Sequence, residues 1–143
     1  MDKRAVMGFV AGFVAVLVFH QAMVGILYVL GVIGAPPYRL APVPPFGVPS
    51  VINSAFWGGV WGIVFALVER RFPRGGGYWL AALVFGAVGP PLVAWFVVAP
   101  LKGLPAGPPA GARLLIAPLI NGVFGVGIGL CLRVLRAGVS RRR

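Results

Sequence analysis

The sequence predicts an all-α membrane protein in which four transmembrane helices make up most of the chain. Three observations lead there. Hydrophobic residues make up 59% of the chain and charged residues 10%, against about 25% charged in ordinary soluble domains. A soluble domain of this length has too much surface to cover with so few charges. The apolar residues also form four long runs rather than alternating with polar ones, each sufficient to cross about 30 Å of hydrocarbon. Finally, the 13 Lys and Arg residues gather at the ends of those runs, where they anchor helices and face anionic headgroups.

The first apolar segment covers about 5–33, enough to tilt or protrude. Gly8, Gly12 and Ala15 lie on one of its faces, and His20 and Gln21 fall near its middle. A loop, 34–49, follows, with the runs Ala35-Pro36-Pro37 and Ala41-Pro42-Val43-Pro44-Pro45. Proline at this density removes backbone donors and favours stiff extended chain. The loop is still apolar, so it is expected to lie on the membrane surface or dip between helices, where protein satisfies its backbone groups. The second segment, about 51–68, is near the minimum for a span; Ser50 is placed to cap it. Ala55, Gly59, Gly62 and Ala66 give it a smooth face. The third, about 78–101, is expected to break at Gly89-Pro90-Pro91, because Pro90 and Pro91 cannot bond to the preceding turn. The fourth, about 119–136, begins at Pro118, which suits a first helical turn, and carries Asn121, Gly125 and Gly129. Gly8/Gly12, Gly58/Gly62 and Gly125/Gly129 are Gly-x-x-x-Gly pairs that let helices approach closely. They serve either packing within the chain or a homodimer seam; Gly59 and Gly62 are the residues that test the second.

Charge sets the expected orientation. One side carries Lys3, Arg4, Arg70, Arg71, Arg74, Arg133, Arg136 and Arg141–Arg143; the other carries Arg39, Lys102 and Arg113. This asymmetry puts both termini in the cytoplasm and the two proline-rich loops outside, in a multi-pass protein of the inner membrane. The N-terminal apolar stretch is too long for a signal-peptide core and lacks a small-x-small exit. The basic tail reads as an anchor to anionic lipid headgroups at the cytoplasmic face, not as a nucleic-acid site.

An internal duplication is expected within this single domain, about 5–71 and 73–139. At an offset of 68 residues Ile52-Asn53-Ser54-Ala55-Phe56 falls on Ile120-Asn121-Gly122-Val123-Phe124, and Gly59 falls on Gly127. Two spans per copy make a parallel repeat with an axis along the membrane normal. The pattern Val51-Ile52-Asn53-x-x-Phe56 is similar, over about a dozen residues, to small fluoride channels. The third segment reads Leu83-Val84-Phe85-Gly86-Ala87-Val88-Gly89-Pro90-Pro91, without that family's Thr/Ser-Phe run, so no membership follows.

Little in the chain can do chemistry. Asp2 and Glu69 are its only carboxylates, both at the cytoplasmic boundary, which excludes paired-carboxylate catalysis. Ser50, Ser54 and Ser140 have no His–acid arrangement. Cys131 is the only cysteine, read as a small buried hydrophobe, and no cofactor or metal is expected. The remaining candidates are the intramembrane polar residues His20, Gln21, Asn53 and Asn121, since polar groups at depth seldom face lipid. Each serves either as a helix-to-helix bond or as part of a solute path. His20 or Gln21 is expected to meet the carbonyls of Gly86 and Ala87 freed by the prolines. The function expected is non-enzymatic, a packing or accessory role in a homo-oligomer or larger membrane complex; the alternative is a small oligomeric transporter or channel with a polar path between the repeats.

Overall fold

The computed structural model describes residues 2–140, so the Arg141–Arg143 tail lies outside the described residues. Helix α1 spans Lys3–Val29. Asp2 caps it, its side chain accepting from the Arg4 N–H at 3.1 Å, and an acidic group there also complements the helix dipole. One π turn, Val16–His20, widens it near the middle. The apolar run continues to Ile33, but the helix does not. Gly31 takes a φ of 71° and the Val32 N–H folds back to the Leu27 carbonyl at 2.9 Å. Glycine's freedom in the left-handed region closes the helix there.

The proline-rich loop turns through a two-residue antiparallel pair, β1 (Pro42–Val43) with β2 (Val48–Pro49). Helix α2, Ser50–Arg71, follows at once and ends in a 3₁₀ turn at Glu69–Arg71. The Ser50 side chain does not cap it. Pro49 holds that position, and the loop's own carbonyls take the first donors: Ser50 N–H to Ala41 at 2.9 Å and Val51 N–H to Arg39 at 3.0 Å. A loop folded over the helix start leaves nothing for a serine cap to satisfy.

Helix α3 spans Gly76–Leu101. It does not break at Gly89-Pro90-Pro91: the α-helix runs through both prolines to Val93, then widens in a π turn at Ala94–Val98. The Ala94 N–H reaches the carbonyls of both Pro90 and Pro91. The lost donors are absorbed by loosening the following turns, as membrane helices do around proline. Helix α4, Gly111–Ser140, starts earlier than its apolar run because a 3₁₀ turn, Gly111–Leu115, precedes the α-helical part. All four helices are long and apolar enough to cross a membrane.

Two antiparallel pairs result, each seamed by glycine. Gly8 lies on Gly62 and Gly12 on Gly58, so closely that a Cβ on Gly12 would collide with the Gly58 carbonyl. In the other pair Gly86 faces the backbone of Asn121 and Gly125, and Gly125 faces Ala82. Gly59 is covered by the Phe9 ring, and Gly129 by Tyr78 and Phe65. The glycine faces are therefore consumed inside the chain, and Gly59 and Gly62 offer no seam to a second copy. The pairs then join unequally. Helix α1 packs directly on α4, with Phe19 seated on Gly127. Between α2 and α3, Phe65 is fully buried and meets Phe85 edge-on at 5.1 Å and Phe72 at 5.3 Å, while Trp61 meets Phe85 at 5.7 Å. Rings hold those two helices apart. Phe65 belongs to an apolar core with Ala11, Ala15, Ala55, Phe124, Ile128 and Leu132.

Candidate functional site

The polar groups of the bundle fall into two clusters, one at each end. The first forms where the proline-rich loop descends on α1. In a regular α-helix the Gln21 N–H would bond the Leu17 carbonyl. The π turn diverts it to Val16 and Val18, and the Tyr38 hydroxyl donates to the Leu17 oxygen at 2.7 Å. The Tyr38 N–H donates to Gln21 Oε1, also at 2.7 Å, and Gln21 Nε2 lies 3.4 Å from His20 Nδ1. Gln21 is only 7% exposed. Tyr38 holds a φ of 53°, uncommon for a residue with a Cβ, and its two bonds fix it there. From Val29 back to Leu17 is about 18 Å of helix at 1.5 Å per residue, so the loop is clamped deep against α1 and not merely laid over its end.

His20 does not meet the proline segment of α3. Its ring stacks edge-on against Phe124 of α4 at 6.3 Å, because the direct α1–α4 contact turns this stretch toward α4. Gln21 is engaged by Tyr38 and His20 rather than by Gly86 or Ala87. Asn53 is half-buried near the start of α2. The Asn121 amide donates to the Ala117 carbonyl of its own helix at 2.9 Å, and Asn121 backbone lies against Gly86. His20 and Gln21 thus share one cluster, while no hydrogen bond among the described residues links the two asparagines to it or to each other.

Beside Gln21 a cleft of about 140 Å³ opens between α1, the loop and the start of α2, lined by Gln21, Arg39, Ser50 and Ser54 and by the apolar Val24, Ala35, Pro36 and Val51. His20, Asn53 and Asn121 do not line it. The larger hollows are apolar. One of about 220 Å³ lies between Val10 and Val14 of α1 and Leu130 and Val134 of α4, another between Ala22, Ile26 and Pro37.

The second cluster was not legible as a site. At the end holding the termini, Glu69 is 8% exposed and accepts from the Tyr78 hydroxyl at 3.0 Å. Arg136 forms an ion pair with the same carboxylate. The Arg133 guanidinium lies over Tyr78 and Trp79, 4.2 Å and 4.6 Å from the ring centres, a cation–π arrangement. The cluster ties α2, α3 and α4 together. Its one signal was that Glu69 is among only two carboxylates in the chain. Among the described residues no group of three or more His, Cys, Asp or Glu is placed to hold a metal.

No protein-family model, curated protein or solved structure matches the chain.

Proposed function

We propose that the chain is a four-span protein of the cytoplasmic membrane, with both termini inside, and that it works by packing as an accessory subunit rather than by catalysis. The observation that carries this reading is where the buried polar groups go. Gln21 is bonded by Tyr38, Glu69 by Tyr78 and Arg136, and Asn121 by its own helix. None of these bonds links the two clusters to each other, and the core between them is apolar. Polar groups used this way specify one arrangement of helices. The apolar outer faces of all four helices meet lipid and a partner, either another copy or a larger membrane complex. Lys3, Arg4, Arg70, Arg71 and Arg74 at the terminal end meet anionic headgroups.

A duplication of two-helix units accounts for two antiparallel pairs built from consecutive helices, in the manner of a parallel repeat. The glycine seams do not fall on equivalent positions at the 68-residue offset, and the pairs join unequally, with α1 on α4 in close contact and α2 and α3 held apart by aromatic rings.

A second reading, a small transporter or channel, draws on the polar cleft at the loop end. Extraction in mild neutral detergent followed by native mass spectrometry separates the two. The accessory reading expects a discrete oligomer or a stoichiometric co-purifying membrane protein, and liposomes no leakier than empty ones. A bare monomer that carries a small solute or ion across liposomes would replace it with the transport reading.

A further inference from the structure

The cleft at the loop end has a chemistry that the packing role does not use. Arg39 and Gln21 line it together with Ser50 and Ser54. The two serines sit four residues apart on α2, which places them on one helix face. Donor-bearing side chains of three kinds therefore line the hollow: the exposed Arg39, the two serines, and Gln21, whose amide has two N–H groups and, among the described residues, one bond for them, to His20 Nδ1.

Among the described residues no side-chain carboxylate meets these donors. The chain's two carboxylates are Asp2 and Glu69. Asp2 caps the start of α1, and Glu69 is held by Tyr78 and Arg136; both lie at the opposite end of the bundle. The Arg39 backbone is fixed, its carbonyl accepting from the Val51 N–H at 3.0 Å, so the guanidinium stem is rooted at the rim of the cleft. At about 140 Å³ the space equals that of four to five waters at about 30 Å³ each, enough for one tetrahedral oxyanion with some hydration.

We propose that this cleft is a binding site for one phosphate-type oxyanion, either free phosphate or the phosphate of a lipid headgroup, held by the Arg39 guanidinium with the Ser50 and Ser54 hydroxyls. A guanidinium fork pairs with two oxygens of such a group. Donor-bearing side chains drawn from two helices and a loop suit a tetrahedral anion better than a planar carboxylate with two oxygens. The site does not depend on the accessory reading; only its lipid form requires the membrane.

The test uses the full chain in neutral detergent. Thermal unfolding is followed while inorganic phosphate is titrated against chloride at matched ionic strength. In parallel, protein re-extracted from phosphatidylcholine vesicles containing phosphatidylglycerol is weighed by native mass spectrometry. A saturable rise in the unfolding midpoint identifies free phosphate as the ligand; one retained phosphatidylglycerol per chain without that rise identifies the headgroup. In either case Arg39→Gln weakens binding on the order of tenfold, Ser54→Ala weakens it less, and Arg113→Gln leaves it unchanged. Among the described residues the Arg39 side chain makes no hydrogen bond or ion pair, so the ligand-free midpoint of Arg39→Gln stays at the parent value. If that variant does not fold, Ser54→Ala decides by the same criterion. Absence of both signals, or equal weakening by Arg39→Gln and Arg113→Gln, overturns the proposal, the latter because it reports surface charge alone.

Discussion

At the scale of single residues, the least replaceable polar contacts are those in which one group serves two elements. Tyr38 is such a residue, with its N–H on Gln21 and its hydroxyl on the Leu17 carbonyl. Tyr38→Phe removes only the second bond and is expected to cost about 1 kcal/mol. Gln21→Leu removes the acceptor for a half-buried backbone N–H as well, and an unsatisfied group of that kind costs about 1–3 kcal/mol. Denaturant unfolding of the two variants in detergent should therefore rank Gln21→Leu as the less stable; the reverse order would mean that the loop is not clamped through Gln21. Glu69 poses a similar contrast. Arg136→Leu strands a buried carboxylate with only the Tyr78 hydroxyl, whereas Glu69→Gln keeps an acceptor for Tyr78 and removes the charge. Arg136→Leu should lower the unfolding midpoint more than Glu69→Gln, because an unpaired buried charge is costlier than a missing pair; the Arg136 side chain is 41% exposed, which moderates the loss.

At the scale of elements, stability rests on how closely backbones approach at the glycine seams. A Cβ on Gly12 would strike the carbonyl of Gly58, part of a helix backbone, whereas one on Gly138 would meet nothing within 4 Å. Gly12→Ala should cost about 1–3 kcal/mol by forcing α1 from α2. Gly138→Ala should be neutral or gain up to about 1 kcal/mol from helix propensity. Opposite signs for the same substitution, read by unfolding in detergent, are the expected outcome; equal effects would show that the seam is not close-packed. Glycine spacing alone made these faces readable as contact surfaces, and apolar length alone made the four helices readable. Spacing does not say which helix a face meets, so whether Gly59 and Gly62 face another copy or α1 had to come from tertiary packing. Apolar length likewise missed the end of α1, because Gly31 stops that helix through backbone conformation while Val32 and Ile33 remain apolar. The proline pair misled for a related reason. Pro90 and Pro91 remove two donors, but whether a helix breaks or loosens depends on the turns beyond, and α3 absorbs the loss at Ala94–Val98. The site was legible only in part: His20 and Gln21 stood out as polar residues in an apolar run, while Tyr38 and Arg39, seventeen to nineteen residues further on, joined them through a loop path that no local pattern encodes.

At the scale of the whole molecule, the proposed orientation in a membrane rests on the charge distribution. Ten Lys and Arg residues belong to the side of the termini and three to the side of the proline-rich loops. At about 1 kcal/mol for each basic residue beside an anionic leaflet, the difference of seven favours the terminal end at the cytoplasmic surface by at most about 7 kcal/mol, and short basic segments are also retained inside during insertion. Among the described residues, the buried Glu69–Arg136 pair and the Arg133 guanidinium over Tyr78 and Trp79 hold cations at the terminal end. The consequence is checked with single cysteines in a Cys131→Ala background, labelled from outside with a membrane-impermeant maleimide. Pro44→Cys and Gly76→Cys are suitable because both positions are exposed on the protein itself, and a Cβ at Gly76 meets nothing within 4 Å. Any difference between them then comes from the membrane and not from burial. Pro44→Cys should react in intact cells or right-side-out vesicles, and Gly76→Cys should react only after permeabilisation. Labelling of Gly76→Cys alone would invert the topology, and labelling of both without permeabilisation would show that the chain does not form a sealed four-span bundle.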